Sequence, residues 1–440
     1  MVGQPQVVIG LGESGRSVAR HLAAENIPFM VGEDHPSPAA LHEMSQLHNP
    51  PSVAPISEIP MHPGAQWIVS PGVPLSLPQL RQAPKYGVTL TNDVALFAER
   101  AKAPLVGITG SNGKTTVTSL VGHLAQSQMS SVRVGGNIGT PCLDLLDEAA
   151  DCYVLELSSY HLELAQTLPL EVGALLNLSP DHLDRYASAE DYYAVKSNIF
   201  NRAQRGVVGE ACRSYVQTGT CSSVSVFGES ACSGFGLLEQ DGQIYLAQGL
   251  EPLLDVRKLG VEGLSNWLNA LAALAIGNCL GLDMDRMTAD LRSFEGLPHR
   301  CQRIDRNDGC CWINDSKATN VGATVAAIRS YKASGALILL LGGQGKSADF
   351  SMLNSVLLEQ KALKAVLVYG EAAEEIRQAL DAQLNVRCFL PFEEMVAHAM
   401  ALANAGDVIL LSPACSSFDQ FSGYEARGDR FMAMLEGGSS

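Results

Sequence analysis

Short uninterrupted apolar runs recur along this chain, each followed by a stretch whose apolar positions fall three and four residues apart. An unbroken run bounded by turn residues marks a strand buried on both faces, and the longer spacing marks an amphipathic helix. Strands are expected at 6–9, 28–31, 66–69, 105–109, 152–157, 172–178, 336–341, 365–369 and 408–412. Helices are expected at 16–25, 94–101, 371–382 and 393–405. The alternation falls into three blocks, so the economical architecture is α/β, with three doubly wound sheets in series. Residues 205–262 break the pattern: they are rich in Gly, Ser and Cys with weak alternation, and read as a small antiparallel or irregular region. Prolines 36, 38, 50, 51, 55, 60 and 63 crowd the loops of the first block.

A chain of 440 residues is too long for one ordinary core. Its 46% hydrophobic and 17% charged composition suits an enzyme with buried parallel strands. A net charge of -16 with no Lys/Arg run argues against a nucleic-acid partner. Eleven scattered cysteines without C-x-x-C, including the adjacent pair Cys310 and Cys311, read as reduced thiols of a cytoplasmic protein. The N-terminus enters a strand with no basic leader, and no apolar stretch is long enough to cross a membrane, so neither secretion nor membrane insertion is expected.

The densest chemistry follows the apolar run at 105–109, in Thr109-Gly-Ser-Asn-Gly-Lys-Thr-Thr116. Gly110 and Gly113 remove side chains where backbone N–H groups must converge on an anion, and a helix opening at Thr115 points its positive end there. Lys114 can reach the β- and γ-phosphates of a nucleoside triphosphate, and the Thr115 hydroxyl can hold Mg²⁺. The strict G-x-x-x-x-G-K-[ST] spacing would need glycine at Ile108, so this is a shortened variant.

Near the start, Gly10-Leu-Gly-Glu-Ser-Gly15 follows a strand and opens a helix, with Glu33 placed 21 residues beyond Gly12. That pattern suits a dinucleotide cofactor, but equally any nucleotide diphosphate laid on a helix N-terminus, and the rest of the chain favours the latter. Glu156 closes one apolar run and Asp181-His-Leu-Asp184 follows another, which puts a carboxylate and the His182 imidazole at the sheet edge that carries the phosphate loop. Lys196 would ordinarily be a solvated surface lysine. In the third block, Asp315, Lys317, Thr319 and Asn320 crowd the end of a short strand, and Gly342-Gly-Gln-Gly-Lys-Ser347 reads as an anion site for substrate. Cys415 has no histidine that the sequence places beside it, so it is a weak nucleophile candidate.

Taken together, T-G-S-N-G-K-T-T (109–116), G-G-N-I-G (135–139), L-E-L-S-S (155–159), D-H-L-D-R-Y (181–186), N-W-L-N-A (266–270), G-L-P-H-R (296–300), N-D-S-K-A-T-N (314–320), G-G-Q-G-K-S (342–347) and L-S-P-A-C-S-S-F-D-Q-F (411–421) resemble the Mur ligase family over essentially the whole chain. The last three motifs are similar to those of its D-glutamate-adding member. The resemblance implies three domains: 1–92, Rossmann-like and binding a UDP-substrate; 93–296, P-loop ATPase-like; and 297–440, Rossmann-like and binding the amino acid. It implies a monomeric ATP-dependent ligase of peptidoglycan precursor synthesis, joining D-glutamate to UDP-N-acetylmuramoyl-L-alanine through an acyl phosphate.

Carried over residue by residue, the resemblance gives ATP to Gly110, Ser111, Asn112, Gly113, Lys114, Thr115, Thr116, Asn269, Arg300 and Asp315. The UDP end falls to Glu13, Ser14, Glu33, Asp34, His35, Ser70 and Gly72, and the acyl end to Asn137 and His182. D-Glutamate falls to Thr319, Lys346, Ser417 and Tyr424. Two Mg²⁺ ions fall to Thr115, Glu156, His182 and Lys196, the last as a carbamate that turns a cation into a carboxylate-like ligand. Lys114, Glu156, His182 and Lys196 form the catalytic set, and His182 or water would take the amine proton. The chain departs from the family pattern at Ser265, where histidine is usual, and at His35, Tyr160, His161 and Pro180. The readings set against this one are another Mur ligase, a folylpolyglutamate synthetase, a dinucleotide-dependent oxidoreductase and a nucleotide switch or motor that does not ligate.

Overall fold

The structure, a computed structural model, describes residues 5–183, 185–217, 221–230, 234–261, 263–304, 306–330, 335–345 and 348–437. Among them lie three sheets.

The first holds β1 (Gln6–Ile9), β2 (Phe29–Gly32), β3 (Ser52–Ala54), β4 (Gln66–Val69) and β5 (Thr89–Thr91), in the order β3-β2-β1-β4-β5 and parallel throughout. The chain steps to one side of β1 and then returns to the other, so a crevice opens beyond the C-terminal ends of β1 and β4. The second sheet comprises β6 (Leu105–Thr109), β7 (Val132–Gly136), β8 (Cys152–Glu156), β9 (Val172–Leu175), β10 (Arg205–Gly209), β11 (Ser223–Ser230), β12 (Gly234–Gln240), β13 (Gln243–Gln248) and β14 (Glu251–Asp255). Its order is β14-β13-β12-β11-β10-β9-β6-β8-β7. All five residues of β6 are buried between β8 and β9, which explains a run with no polar alternation.

Here one expectation is corrected. Residues 205–209 and 223–230 extend the parallel sheet through β9–β10 and β10–β11 pairing, and antiparallel pairing is confined to β12, β13 and β14. The pattern was hidden because β11 is a partly solvated strand with no continuous apolar run.

The third sheet contains β15 (Gln302–Ile304), β16 (Cys311–Asn314), β17 (Leu337–Gly342), β18 (Leu363–Tyr369), β19 (Val386–Phe389) and β20 (Val408–Leu411), ordered β15-β16-β20-β17-β18-β19. Only β15 runs antiparallel to its neighbour. Along β17, Leu337, Leu339 and Leu341 enter one apolar cluster while Ile338 and Leu340 enter another. The sheet is thus covered on both faces, as an unbroken apolar strand requires.

By internal contacts the chain forms two compact units, one of Met1–Lys258 with Asn269–Arg292 and the other of Leu259–Leu268 with Ser293–Ser440. The first therefore carries the first two sheets together. No described helix is long and apolar enough to cross a membrane.

Candidate active site

The phosphate loop forms as its sequence dictates. β6 ends at Thr109, Gly110 takes φ +154°, and Gly113 caps the helix Lys114–Gln126 at φ +82°, a left-handed conformation that costs glycine least. A Cβ on Gly113 would stand 2.6 Å from Asn269 Oδ1, so the predicted nucleotide residue Asn269 packs directly on the loop. Three residues beyond β9 hold the loop's outer side. Asn112 N–H donates to Asn177 Oδ1 (2.8 Å), and Asn177 Nδ2 returns a bond to Asn112 O (2.9 Å). Ser111 Oγ donates to Ser179 O (2.9 Å) and accepts from Ser179 N–H (2.9 Å), with Tyr192 Oη at 3.3 Å. Asn177, Ser179 and Tyr192 carry no motif of their own, and only their place beyond a buried strand could have pointed to them. Thr116 is buried in the helix.

Lys114 Nζ curls back to donate to Gly110 O (2.9 Å) and Ser111 O (3.0 Å). Those are weak carbonyl acceptors that phosphate oxygens would outcompete. Glu156, only 2% exposed, sits at the end of β8, where Oε2 accepts from Thr115 Oγ1 (2.7 Å) and Oε1 from Asn137 Nδ2 (2.9 Å). Carboxylate, hydroxyl and side-chain amide oxygens beside a phosphate loop fit a hard cation such as Mg²⁺, which takes one or two carboxylates and completes its shell with phosphate and water. No group of three His, Cys, Asp or Glu side chains that could by itself hold a metal ion occurs among the described residues.

Lys196 is not a surface lysine: it is 1% exposed. Its Nζ donates to Gly110 O (2.9 Å) and lies 4.8 Å from the Tyr192 ring centroid. Burial, and then the neighbouring Lys114 charge, push its pKa well below the usual lysine range. His182 follows β9 at φ +54°, with Tyr160 Oη 2.8 Å from Nδ1 and its own N–H bonded to Asp181 Oδ1 (2.9 Å).

A cleft of about 450 Å³ opens at the crevice of the first sheet. Its walls bring together six residues predicted from sequence, Glu13, Ser14, Glu33, Ser70, Gly72 and Asn137. Ser70 Oγ donates to Gly10 O (3.1 Å), and a Cβ on Gly15 would stand 1.9 Å from Gly10 O, which is why the turn needs glycine. Glu33 accepts from Leu11 N–H (2.8 Å) and His35 N–H (3.0 Å), so its carboxylate shapes the rim through backbone bonds. Asp34 accepts from Ile56 N–H (2.9 Å), and with His35 it is exposed beside the cleft rather than among its lining residues. His161, which the sequence marked only as a departure, also lines the cleft, and burial lowers its pKa.

The second unit places its candidates at the C-terminal edge of the third sheet. Asp315 follows β16, and its carboxylate accepts from Ser412 Oγ (2.8 Å) and Cys301 N–H (3.2 Å). Burial raises its pKa to about 6, partly opposed by the Ser412 bond and by the Arg300 charge. Thr319 is half-buried on the same loop, and Ser417 is buried after β20. Tyr424 opens the helix Tyr424–Gly437 with Lys317 Nζ 3.8 Å from its ring centroid. Lys346 lies outside the described residues.

Sequence reasoning missed Arg427. It is fully buried and donates to Ser316 O (2.7 Å), Ser316 Oγ (2.9 Å), Tyr369 Oη (3.1 Å) and Cys415 O (3.2 Å). One guanidinium thus ties together the loops after β16 and β20 and the end of β18. An arginine inside an otherwise surface-patterned helix gave no sign of this.

The chain matches three family models in sequence order: a Mur ligase MurD-like N-terminal domain over 4–92, a Mur ligase middle domain over 108–277 and a Mur ligase glutamate ligase domain over 299–415. It is 43% identical over 439 residues to the UDP-N-acetylmuramoylalanine--D-glutamate ligase of Pseudomonas syringae, covering 98% of this chain and 97% of that protein. It is 42% identical to the protein of the same name from Pseudomonas aeruginosa, with the same coverage. Among solved structures, the MurF ligase of Thermotoga maritima in complex with ADP aligns at TM-score 0.62 and 18% identity, over 85% of this chain and 89% of that one. MurF of Acinetobacter baumannii aligns at TM-score 0.66 and 16% identity, over 98% and 93%. The shortened phosphate loop, the cleft beside it and matches that run from one end of the chain to the other lead to one assignment: the chain belongs to the Mur ligase family.

Proposed function

We infer that this chain is an ATP-dependent ligase that joins D-glutamate to the L-alanyl carboxylate of UDP-N-acetylmuramoyl-L-alanine, releasing ADP and phosphate. One observation carries the reading into chemistry. Asn137 lines the cleft and donates to Glu156, whose other oxygen accepts from Thr115 at the head of the phosphate loop. A nucleotide-sugar lying in the cleft would therefore present its acyl end where a γ-phosphate ends. The relatives' shared name supplies the identity of the amino acid.

In this reading 1–92 binds the UDP end, 93–296 the ATP and 297–440 the amino acid. Glu13, Ser14, Glu33, Asp34, His35, Ser70 and Gly72 take the nucleotide-sugar, and Asn137 and His182 orient its carboxylate. ATP rests on residues 110–116 with Asn269, and Arg300 and Asp315 keep their nucleotide assignment. Lys114 exchanges two loop carbonyls for phosphate oxygens and steadies the charge that spreads over the γ-phosphoryl group. The L-alanyl carboxylate takes the γ-phosphoryl group from ATP to give an acyl phosphate and ADP. Thr319, Lys346, Ser417 and Tyr424 hold D-glutamate, whose amine attacks the acyl carbon, expels phosphate and gives its proton to His182 or water.

Two Mg²⁺ ions, held by Thr115, Glu156, His182 and carbamylated Lys196, would neutralise the facing anions. A buried lysine kept neutral has the lone pair that CO₂ requires, which supports the carbamate. In this reading the ligase works as a monomer, and its use of ATP and a UDP-sugar suits the cytoplasm.

Purified protein should form ADP and phosphate only with both UDP-N-acetylmuramoyl-L-alanine and D-glutamate present, and L-glutamate, L-alanine or a diamino acid should not replace D-glutamate. Equal ATP turnover without an acceptor would refute the reading.

A further inference from the structure

His182 holds a left-handed backbone conformation, φ +54°, that is uncommon for a residue with a side chain. Its imidazole is also 38% exposed, so packing alone does not fix the ring. Tyr160 meets it with Oη 2.8 Å from Nδ1 and the two rings 5.0 Å apart, while Tyr192 stands edge-on with ring centroids 6.0 Å apart and Asp181 Oδ2 lies 3.9 Å from Nε2. Whichever atom carries the proton, the Tyr160 bond is the shortest of these side-chain contacts and favours one rotation of the ring.

Tyr160 is in turn clamped. The Arg185 guanidinium lies 4.0 Å from its ring centroid. Glu163 holds the guanidinium from one side, with Nε donating to Oε1 (3.0 Å) and Nη2 to Oε2 (2.5 Å), both side chains being largely buried. On the other side the same group donates to Pro71 O (3.1 Å) and reaches Val73 O (3.4 Å). Pro71 and Val73 belong to the loop that lines the cleft together with Ser70 and Gly72. Arg185 also shares a turn with His182, whose carbonyl accepts from Arg185 N–H (2.9 Å).

We propose that Arg185 and Tyr160 are positioning residues forming a strut from the cleft loop at 71–73 to the His182 imidazole, so that a nucleotide-sugar seated in the cleft sets His182 against its acyl end. The inference rests on the function proposed above. A planar guanidinium is suited to the task because its donors diverge in fixed directions and its face stacks on an aromatic ring, which a lysine ammonium cannot reproduce. Phenylalanine at 160 would keep the stack and remove only the link to Nδ1.

The test pairs kinetics with histidine NMR. Tyr160→Phe should lower kcat about tenfold while the KM for UDP-N-acetylmuramoyl-L-alanine stays within about twofold, the signature of misplacement in the transition state. Arg185→Lys should lower kcat by a similar factor and also raise that KM about tenfold. The double variant should lose little more kcat than either single one, because both act through one path.

In ¹⁵N-histidine protein without ATP or metal, assigned with His182→Gln, Tyr160→Phe should shift the His182 Nδ1 resonance. Adding the nucleotide-sugar should move the His182 signals in the parent protein but not in Arg185→Lys. An unchanged Nδ1 resonance, multiplicative kinetic losses, or melting temperatures of the single variants lowered by more than about ten degrees would each overturn the strut. Wild-type protein inert towards the nucleotide-sugar and D-glutamate would instead sink the proposed function, and the ligand-free Nδ1 comparison would still judge the link on its own.

Discussion

Two glycine loops with a lysine follow buried parallel strands in this chain, after β6 and after β17, and they do different work. After β6 the helix begins at Lys114, immediately beyond Gly113, so the helix's positive end opens directly at the loop, while the Ser111 and Asn112 N–H groups anchor the loop to Asn177. After β17 the next helix begins only at Ser351. Gly342 and Gly343 take φ +118° and +126°, and added Cβ atoms would stand 2.0 Å from Tyr369 O and 2.2 Å from Ser416 O. Gln344 and Ser416 form an antiparallel bridge, and Arg427 donates to Cys415 O beside them. Glycines make room for neighbours in both loops, for Leu176, Asn177 and Asn269 in the first and for the Tyr369 and Ser416 backbone in the second, so the loops differ in the helix that follows rather than in their glycines. A glycine-lysine motif after a strand therefore acquires its meaning from where the following helix starts.

The largest effect that would sharpen this contrast is on catalysis. Lys114→Ala should lower kcat by roughly 10³-fold or more, since it removes a cation from a developing phosphoryl charge, while leaving stability nearly unchanged. A near-normal rate of ADP formation would show that the first loop has been misread. The second loop should answer in stability instead. Gly343→Ala forces a side chain into a backbone carbonyl at positive φ and should cost about 3 kcal/mol or more in urea unfolding of the C-terminal unit. A loss below about 1 kcal/mol would mean that the loop yields easily and that the close packing is incidental.

Much of this was legible in the sequence because buried parallel strands and glycine turns write their own signatures. The runs at β6, β8, β9, β17, β18 and β20 fall within a few residues of the strands observed, and six candidate residues from four separate segments line one cleft. Edge strands such as β3, β5 and β19 were silent, being short and partly solvated. Lys196 could be given its metal role only through family resemblance, for nothing local in the helix Ala189–Ser197 says that one lysine turns inward beneath Tyr192. Arg427 was invisible for the same reason: its partners are backbone carbonyls and hydroxyls brought in by the tertiary fold, and backbone has no residue identity to read.

The two regions should also differ in their response to pH, and Asp315 is where the second is vulnerable. An aspartate has a pKa of about 3.9 when unfolded. Burial raises that of Asp315 to about 6. Between those values the folded state binds more protons than the unfolded one, so stability falls as pH rises from about 4 through 6, by on the order of 2–3 kcal/mol in all. Asp315→Asn should flatten that slope in urea unfolding measured across the range. Ser412→Ala makes a smaller and more pointed change. Its hydroxyl donates to the Asp315 carboxylate at 2.8 Å and favours the ionised form. Without that bond the Asp315 titration should move above 6, and stability at neutral pH should drop by about 1 kcal/mol, with less lost at pH 4, where the carboxyl is protonated in the folded state. A midpoint that moved down instead would mean that the Ser412 hydroxyl accepts from a protonated Asp315, and the source of the acid-side stability would have to be sought elsewhere in the unit.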